Sequence, residues 1–147
     1  PDLWEELDNI NASNVEELIE SLEKYVSNGF FGAAAELSDT LESCPYIDKN
    51  PSWRVRVELE RMKRYYCLGF ENLMITSSNR VLGYLEHLSP KKPINDNYLL
   101  WKGTAVGHQG WIISKPNELK KIIKQCKDIR DKFQNEKPEY KTLYNIK

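Results

Sequence analysis

Two histidines and three cysteines are all that the 147 residues contain, and neither kind is grouped. His87 and His108 stand in no H-E-x-x-H or C-x-x-C arrangement, so the sequence gives no motif for a metal site and no cofactor is expected. Cys44, Cys67 and Cys126 are odd in number and far apart. That argues against a disulfide framework and for reduced thiols acting as small apolar side chains in an intracellular protein, cytoplasmic or nuclear. No apolar run approaches the roughly 18 residues of a membrane-spanning helix, and no membrane partner is expected. The chain opens at Pro1 without Met, a positive n-region or an apolar leader, as an excised piece of a longer chain would.

Nor does the sequence carry a recognisable catalytic set. Gly103-Thr104-Ala105-Val106-Gly107-His108-Gln109-Gly110 lacks the Lys-Ser/Thr ending of a P-loop and the spacing and preceding strand of a dinucleotide loop. The Gly103 to Gly107 interval instead suits close approach of two helix backbones, with Trp101 and Trp111 filling space on either side. An enzyme is not expected.

Charge, by contrast, is plentiful and unevenly distributed. The formal net charge is −1, yet residues 1–50 hold 12 acids against Lys24 and Lys49, while residues 51–147 hold 19 Lys and Arg against 10 acids. A chain polarised in this way either presents its basic part to an anionic partner or pairs its two parts with each other.

The apolar residues recur at helical spacing throughout. Val15, Leu18, Ile19, Leu22, Tyr25 and Val26 form one stripe, with Ser13 or Asn14 as cap and Asn28-Gly29 as a left-handed stop. Phe30, Ala34, Leu37, Leu41 and Cys44 form a second stripe, closed by Pro45. Asn50-Pro51-Ser52 begins a third, through Val55, Leu59, Met62, Tyr66, Phe70 and Leu73, which Thr76-Ser77-Ser78-Asn79 interrupts before Val81, Leu82, Leu85 and Leu88. A Gly-rich helix follows over 96–113. A basic amphipathic helix runs through Leu119, Ile122, Ile123, Cys126, Ile129 and Phe133, and Leu3, Trp4, Leu7 and Ile10 suggest a short leading helix. The expectation is an all-α fold of about six helices in stacked antiparallel hairpins, one domain over 1–133 and a frayed tail over 134–147.

Shifting the chain by 44 residues lays Val15, Leu18, Leu22, Val26 and Phe30 on Leu59, Met62, Tyr66, Phe70 and Met74, as in a helical solenoid. The stretch from Phe30 to Pro45, with its aromatic start, small residues, Leu37 and terminal proline, resembles the second helix of the tetratricopeptide-like repeat superfamily, TPR- or HEAT-like in arrangement. That resemblance implies a cofactor-free scaffold that binds peptides or proteins.

The strongest candidate site lies on the third helix. Trp53, Arg54, Arg61, Arg64 and Tyr65 project away from the Leu59-Met62-Tyr66 stripe. Arginine forks bind carboxylates or phosphates in pairs, and aromatic neighbours add flat contact area. This face is expected to receive an acidic peptide or partner domain. The alternatives are single-stranded nucleic acid or RNA as the anion, a homo-oligomer contact, or internal pairing of these arginines with the acids of residues 1–50.

Overall fold

The computed structural model describes residues 9–88, 96–114 and 124. Within them the chain is all-helical: α1 (Val15–Ser27), α2 (Phe31–Ser43), a 3₁₀ turn (Ile47–Lys49), α3 (Pro51–Leu68), α4 (Glu71–Leu88) and α5 (Asp96–Ser114). Five α-helices are therefore present among the described residues, where about six were expected. Apart from Lys124, which is helical and exposed, the basic helix over 115–133 lies outside them, as do the tail over 134–147 and residues 3–7 of the leading helix.

The first turn is as the sequence implies, but the second moves. Gly29 takes φ 79° and Gly69 φ 78°, the left-handed conformation that only glycine adopts without strain. After each, the phenylalanine amide reaches back to a tyrosine carbonyl, Phe30 to Tyr25 at 2.8 Å and Phe70 to Tyr65 at 2.9 Å. The paired rings also meet, Tyr25 with Phe30 at 6.1 Å and Tyr65 with Phe70 at 6.3 Å. The long helix thus ends at Leu68, not at Thr76-Asn79, and α4 runs unbroken through that polar stretch. Serine and threonine can bond carbonyls of the preceding turn within a helix; Thr76 Oγ1 donates to Asn72 O at 3.0 Å and Ser78 Oγ to Ile75 O at 2.8 Å.

The turns lie 40 residues apart, and at that offset Val15, Ile19, Leu22 and Val26 of α1 fall on Val55, Leu59, Met62 and Tyr66 of α3, all buried. The 44-residue offset read from the sequence is therefore corrected, because it sets Val26, inside a helix, on Phe70, inside a turn.

Helix α3 is the central element, packed against α1, α2, the 3₁₀ turn, α4 and α5. Its start is specified locally: Pro51 occupies the first turn and Asn50 Oδ1 accepts the Ser52 amide at 3.0 Å, an N-cap arrangement worth about 1 kcal/mol. Two apolar cores meet on it. Val57 and Leu68 join Ile19, Leu22, Phe31, Leu37, Leu41 and Ile47 of the first core. Val55, Leu59, Met62 and Tyr66 join Met74, Val81, Leu85 and Ala105 of the second. Leu73, expected in that stripe, is 49% exposed because it belongs to α4 and not to a continued α3.

Helix α5 corrects a second expectation. Gly103 and Gly107 are exposed, and a Cβ at either would meet nothing within 4 Å. No backbone approaches them closely among the described residues, and Leu100 and Val106 stand 64% and 50% exposed beside them. Among the described side chains of α5, Ala105, Trp101 and His108 pack inward.

The two kinds of glycine should respond oppositely to alanine. Gly69→Ala should lower stability by about 1–2 kcal/mol, because alanine resists positive φ. Gly107→Ala should leave stability unchanged or raise it by up to about 1 kcal/mol, since it improves helix propensity without a clash. Urea denaturation of both variants reads the signs directly.

Candidate functional site

On α3 the residues Val57, Arg61, Arg64 and Leu68 recur at intervals of four, three and four, so they form one stripe. Its ends are apolar and enter the first core. Its middle is two arginines with relative exposures of only 7% and 4%. At Arg61 and Arg64 the expected open arginine face is therefore an interior one, because α3 is covered by helices on several sides at once, while Trp53, Arg54 and Tyr65 are half-buried.

Arg61 is engaged through both terminal nitrogens. Nη1 donates to Glu58 Oε2 at 2.8 Å, and Nη2 donates to Asp39 Oδ1 at 3.0 Å and also to Glu42 Oε2. Glu58, itself 2% exposed, accepts a further bond from Arg80 Nη1 at 3.3 Å. Burial works against the Arg61 charge, but the Glu42 hydrogen bond and the Glu58, Glu42 and Asp39 charges outweigh it and hold its pKa above the ordinary arginine value. Such a network is costly to break, because removing one member leaves the others charged and buried.

Arg54 and Trp53 are also taken up within the chain. Arg54 grips Asp48 with Nε at 2.5 Å and Nη2 at 3.0 Å, which holds the Asp48 carboxyl below its usual range. Asp48 is 72% exposed, so this pair is a surface contact of small energetic worth. Trp53 Nε1 donates to Glu16 Oε2 at 2.7 Å. Arg56, which the sequence pattern does not single out, binds both Glu16 and Glu23 of α1 and fastens α3 to it. Its i, i+3 to Trp53 was the available signal. Internal pairing of basic α3 with the acidic first 50 residues thus holds at Trp53, Arg54, Arg56 and Arg61.

Arg64 and Tyr65 differ from these. The Arg64 guanidinium stands 4.8 Å over the Tyr65 ring, a cation–π contact, and Tyr65 rests against Phe70. Among the described residues no carboxylate forms an ion pair with Arg64, and its Nε is buried without a hydrogen-bond partner. Desolvation lowers its pKa from the usual arginine value, with the Arg61 charge adding to it and Tyr65 and Asp39 opposing it.

Glu42, Ile47, Arg54, Val57, Glu58, Arg61 and Tyr84 line a cavity of about 10 Å³ beside the network, room for no more than a water molecule. Among the described residues no group of three His, Cys, Asp or Glu is arranged to hold a metal ion, and no helix is long and apolar enough to cross a membrane. Cys44 and Cys67 are half-buried thiols against the first core; Cys126 lies outside the described residues. His87 is exposed. His108 packs edge-on to Tyr66 at 4.7 Å, with Nδ1 2.8 Å from Thr104 O, and nothing in its sequence neighbourhood marked it for this position. Beside it Gln109 Nε2 donates to Ser78 Oγ at 2.5 Å and Asn79 Oδ1 at 2.9 Å, tying α5 to α4.

Two outcomes check this geometry. Arg61→Met should cost about 3–5 kcal/mol, as loss of a buried partner does, whereas Arg54→Met should cost about 0–1 kcal/mol; chemical denaturation separates them. The second concerns pH. Burial pushes His108 below its ordinary value of 6.5, against the Thr104 hydrogen bond, so the unfolded chain takes up this proton first. The His108 contribution is complete above about pH 6.5 and is lost as pH falls toward the lower folded pKa. The melting temperature of wild type should therefore fall more than that of His108→Phe between pH 7 and pH 5.

No protein-family model matches this chain, and it has no match among curated proteins or among solved structures.

Proposed function

We propose that the chain is a non-catalytic protein-interaction module, built from stacked helix pairs of helical-repeat kind, that binds an acidic peptide or partner domain at the part of α3 around the half-buried Tyr65, with the buried Arg64 against its ring. The observation that carries this reading is the contrast along α3. Trp53, Arg54, Arg56 and Arg61 bond acids of this chain, whereas Arg64 has no ion-pair partner among the described residues and lies over an aromatic ring. The 40-residue correspondence of turns and buried positions supports the helical-repeat part of the reading.

Asp39, 75% exposed, and Glu42 stand beside Arg61. Their carboxylates oppose a run of phosphates more strongly than a single carboxylate, which favours a protein partner over nucleic acid. In calorimetric titrations of the full chain, a panel of blocked acidic peptides should include saturable binders whose affinity falls with salt. Single-stranded oligonucleotides should bind more weakly at each salt concentration. Absence of saturable binding to every acidic peptide, or tighter binding to the oligonucleotides, overturns the reading.

A further inference from the structure

We propose that the outward face of α5, formed by Leu100, Gly103, Val106 and Gly107, is where a second copy of this chain packs, α5 against α5 in antiparallel fashion. This face is not the Tyr65 region, and the proposal stands or falls independently of the acidic-partner reading.

Helix α5 carries almost no charge: between Asn97 and Ser114 its only Asp, Glu, Lys or Arg is Lys102. Trp101, Ala105 and His108 pack inward. At about 100° per residue, Leu100, Gly103, Val106 and Gly107 fall on the opposite side, and all four are exposed. A helix with apolar or small residues on both sides is normally covered on both. Here only the side toward α3 and α4 is covered among the described residues.

The glycines point the same way. A Cβ on Gly103 or Gly107 would meet nothing within 4 Å, so nothing in the free chain calls for glycine at positions where it weakens a helix relative to alanine. Bare backbone serves where a second helix comes close. Leu100 and Val106, 64% and 50% exposed, stand on either side of the glycine strip.

That arrangement selects the occupant. One face holds both the projecting side chains and the recess to receive them, the self-complementarity that a two-fold contact requires. In an antiparallel pair with its axis between Gly103 and Thr104, Leu100 of each copy comes opposite Gly107 of the other, twice in one contact. The strip itself bears no charged side chain, and the exposed Lys102 lies at its rim, so two copies meet without opposing like charges. The helix has 19 residues, about 28 Å in length. One such face supplies less than the roughly 800 Å² per partner of a standard interface, so the dimer should be weak and reversible.

Sedimentation velocity of the full chain, under reducing conditions and from about 1 to about 300 µM, should show a monomer-dimer equilibrium. Leu100→Ala removes the projection and Gly107→Leu fills the recess, so each should weaken the dimer about tenfold or more. An equimolar mixture of the two variants should restore association to within about threefold of wild type, since every mixed contact then pairs one large side chain with one small. Leu100→Glu should be monomeric throughout, and it replaces either variant that fails to fold. A wild-type chain that stays monomeric over the whole range overturns the proposal. In that case a lower melting temperature for Leu100→Glu assigns the face to residues 115–133 of the same chain, and an unchanged one assigns it to an unlike partner. A dimer that these substitutions leave intact, or that the mixture fails to restore, overturns the proposal as well.

Discussion

The Arg61–Glu58 pair sits inside the molecule at the middle of α3, and its reach to Asp39, Glu42 and Arg80 ties α2, α3 and α4 together through charge. Apolar contacts alone are tolerant of sliding, because many similar side chains can interdigitate in more than one register. A guanidinium that must meet three carboxylates admits far fewer arrangements. We regard this network as what sets the register of α2 against α3, with Val57 and Leu68 seating the same stripe in the first core above and below it.

The same centrality accounts for the two cores. A helix surrounded on several sides cannot confine its polar residues to one exposed stripe, so α3 carries four buried charged residues, Glu58, Glu60, Arg61 and Arg64. Each is handled differently. Glu58 and Arg61 share one network. Glu60 leans on Lys63 at 3.0 Å, although burial still pushes its pKa above the ordinary glutamate value. Arg64 lies over the Tyr65 ring with its Nε unpartnered.

The outer surface shows a different balance. Arg54 with Asp48 and Arg56 with Glu16 and Glu23 are contacts of the kind that fix orientation without adding much energy. Together with the interior network they take up part of the uneven charge along the chain: of the 12 acids of the first 50 residues, Glu16, Glu23, Asp39, Glu42 and Asp48 are bonded by arginines of α3. A good part of the chain's electrical polarity is thus cancelled within its own fold.

Helix stripes, the Gly29 turn, the Asn50-Pro51 start and the all-α class were determined by local sequence, because each depends on residues within a few positions of one another. The Gly69 turn was equally local, marked by the Tyr-to-Gly-Phe pattern it shares with Gly29, but the Thr76-Asn79 polar cluster masked it: the sequence does not show that those hydroxyls bond backward inside a helix. The arginine stripe was legible as a pattern and not as a burial. Whether Arg61 faces water or carboxylates depends on where Asp39 and Glu42 arrive, some twenty residues away in sequence. The openness of Gly107 likewise depends on which side of α5 its neighbours occupy. These were decided by tertiary structure alone, since a charge's partner and a glycine's surroundings are set by helices packed from elsewhere in the chain, while a helix's own periodicity is set by its own residues.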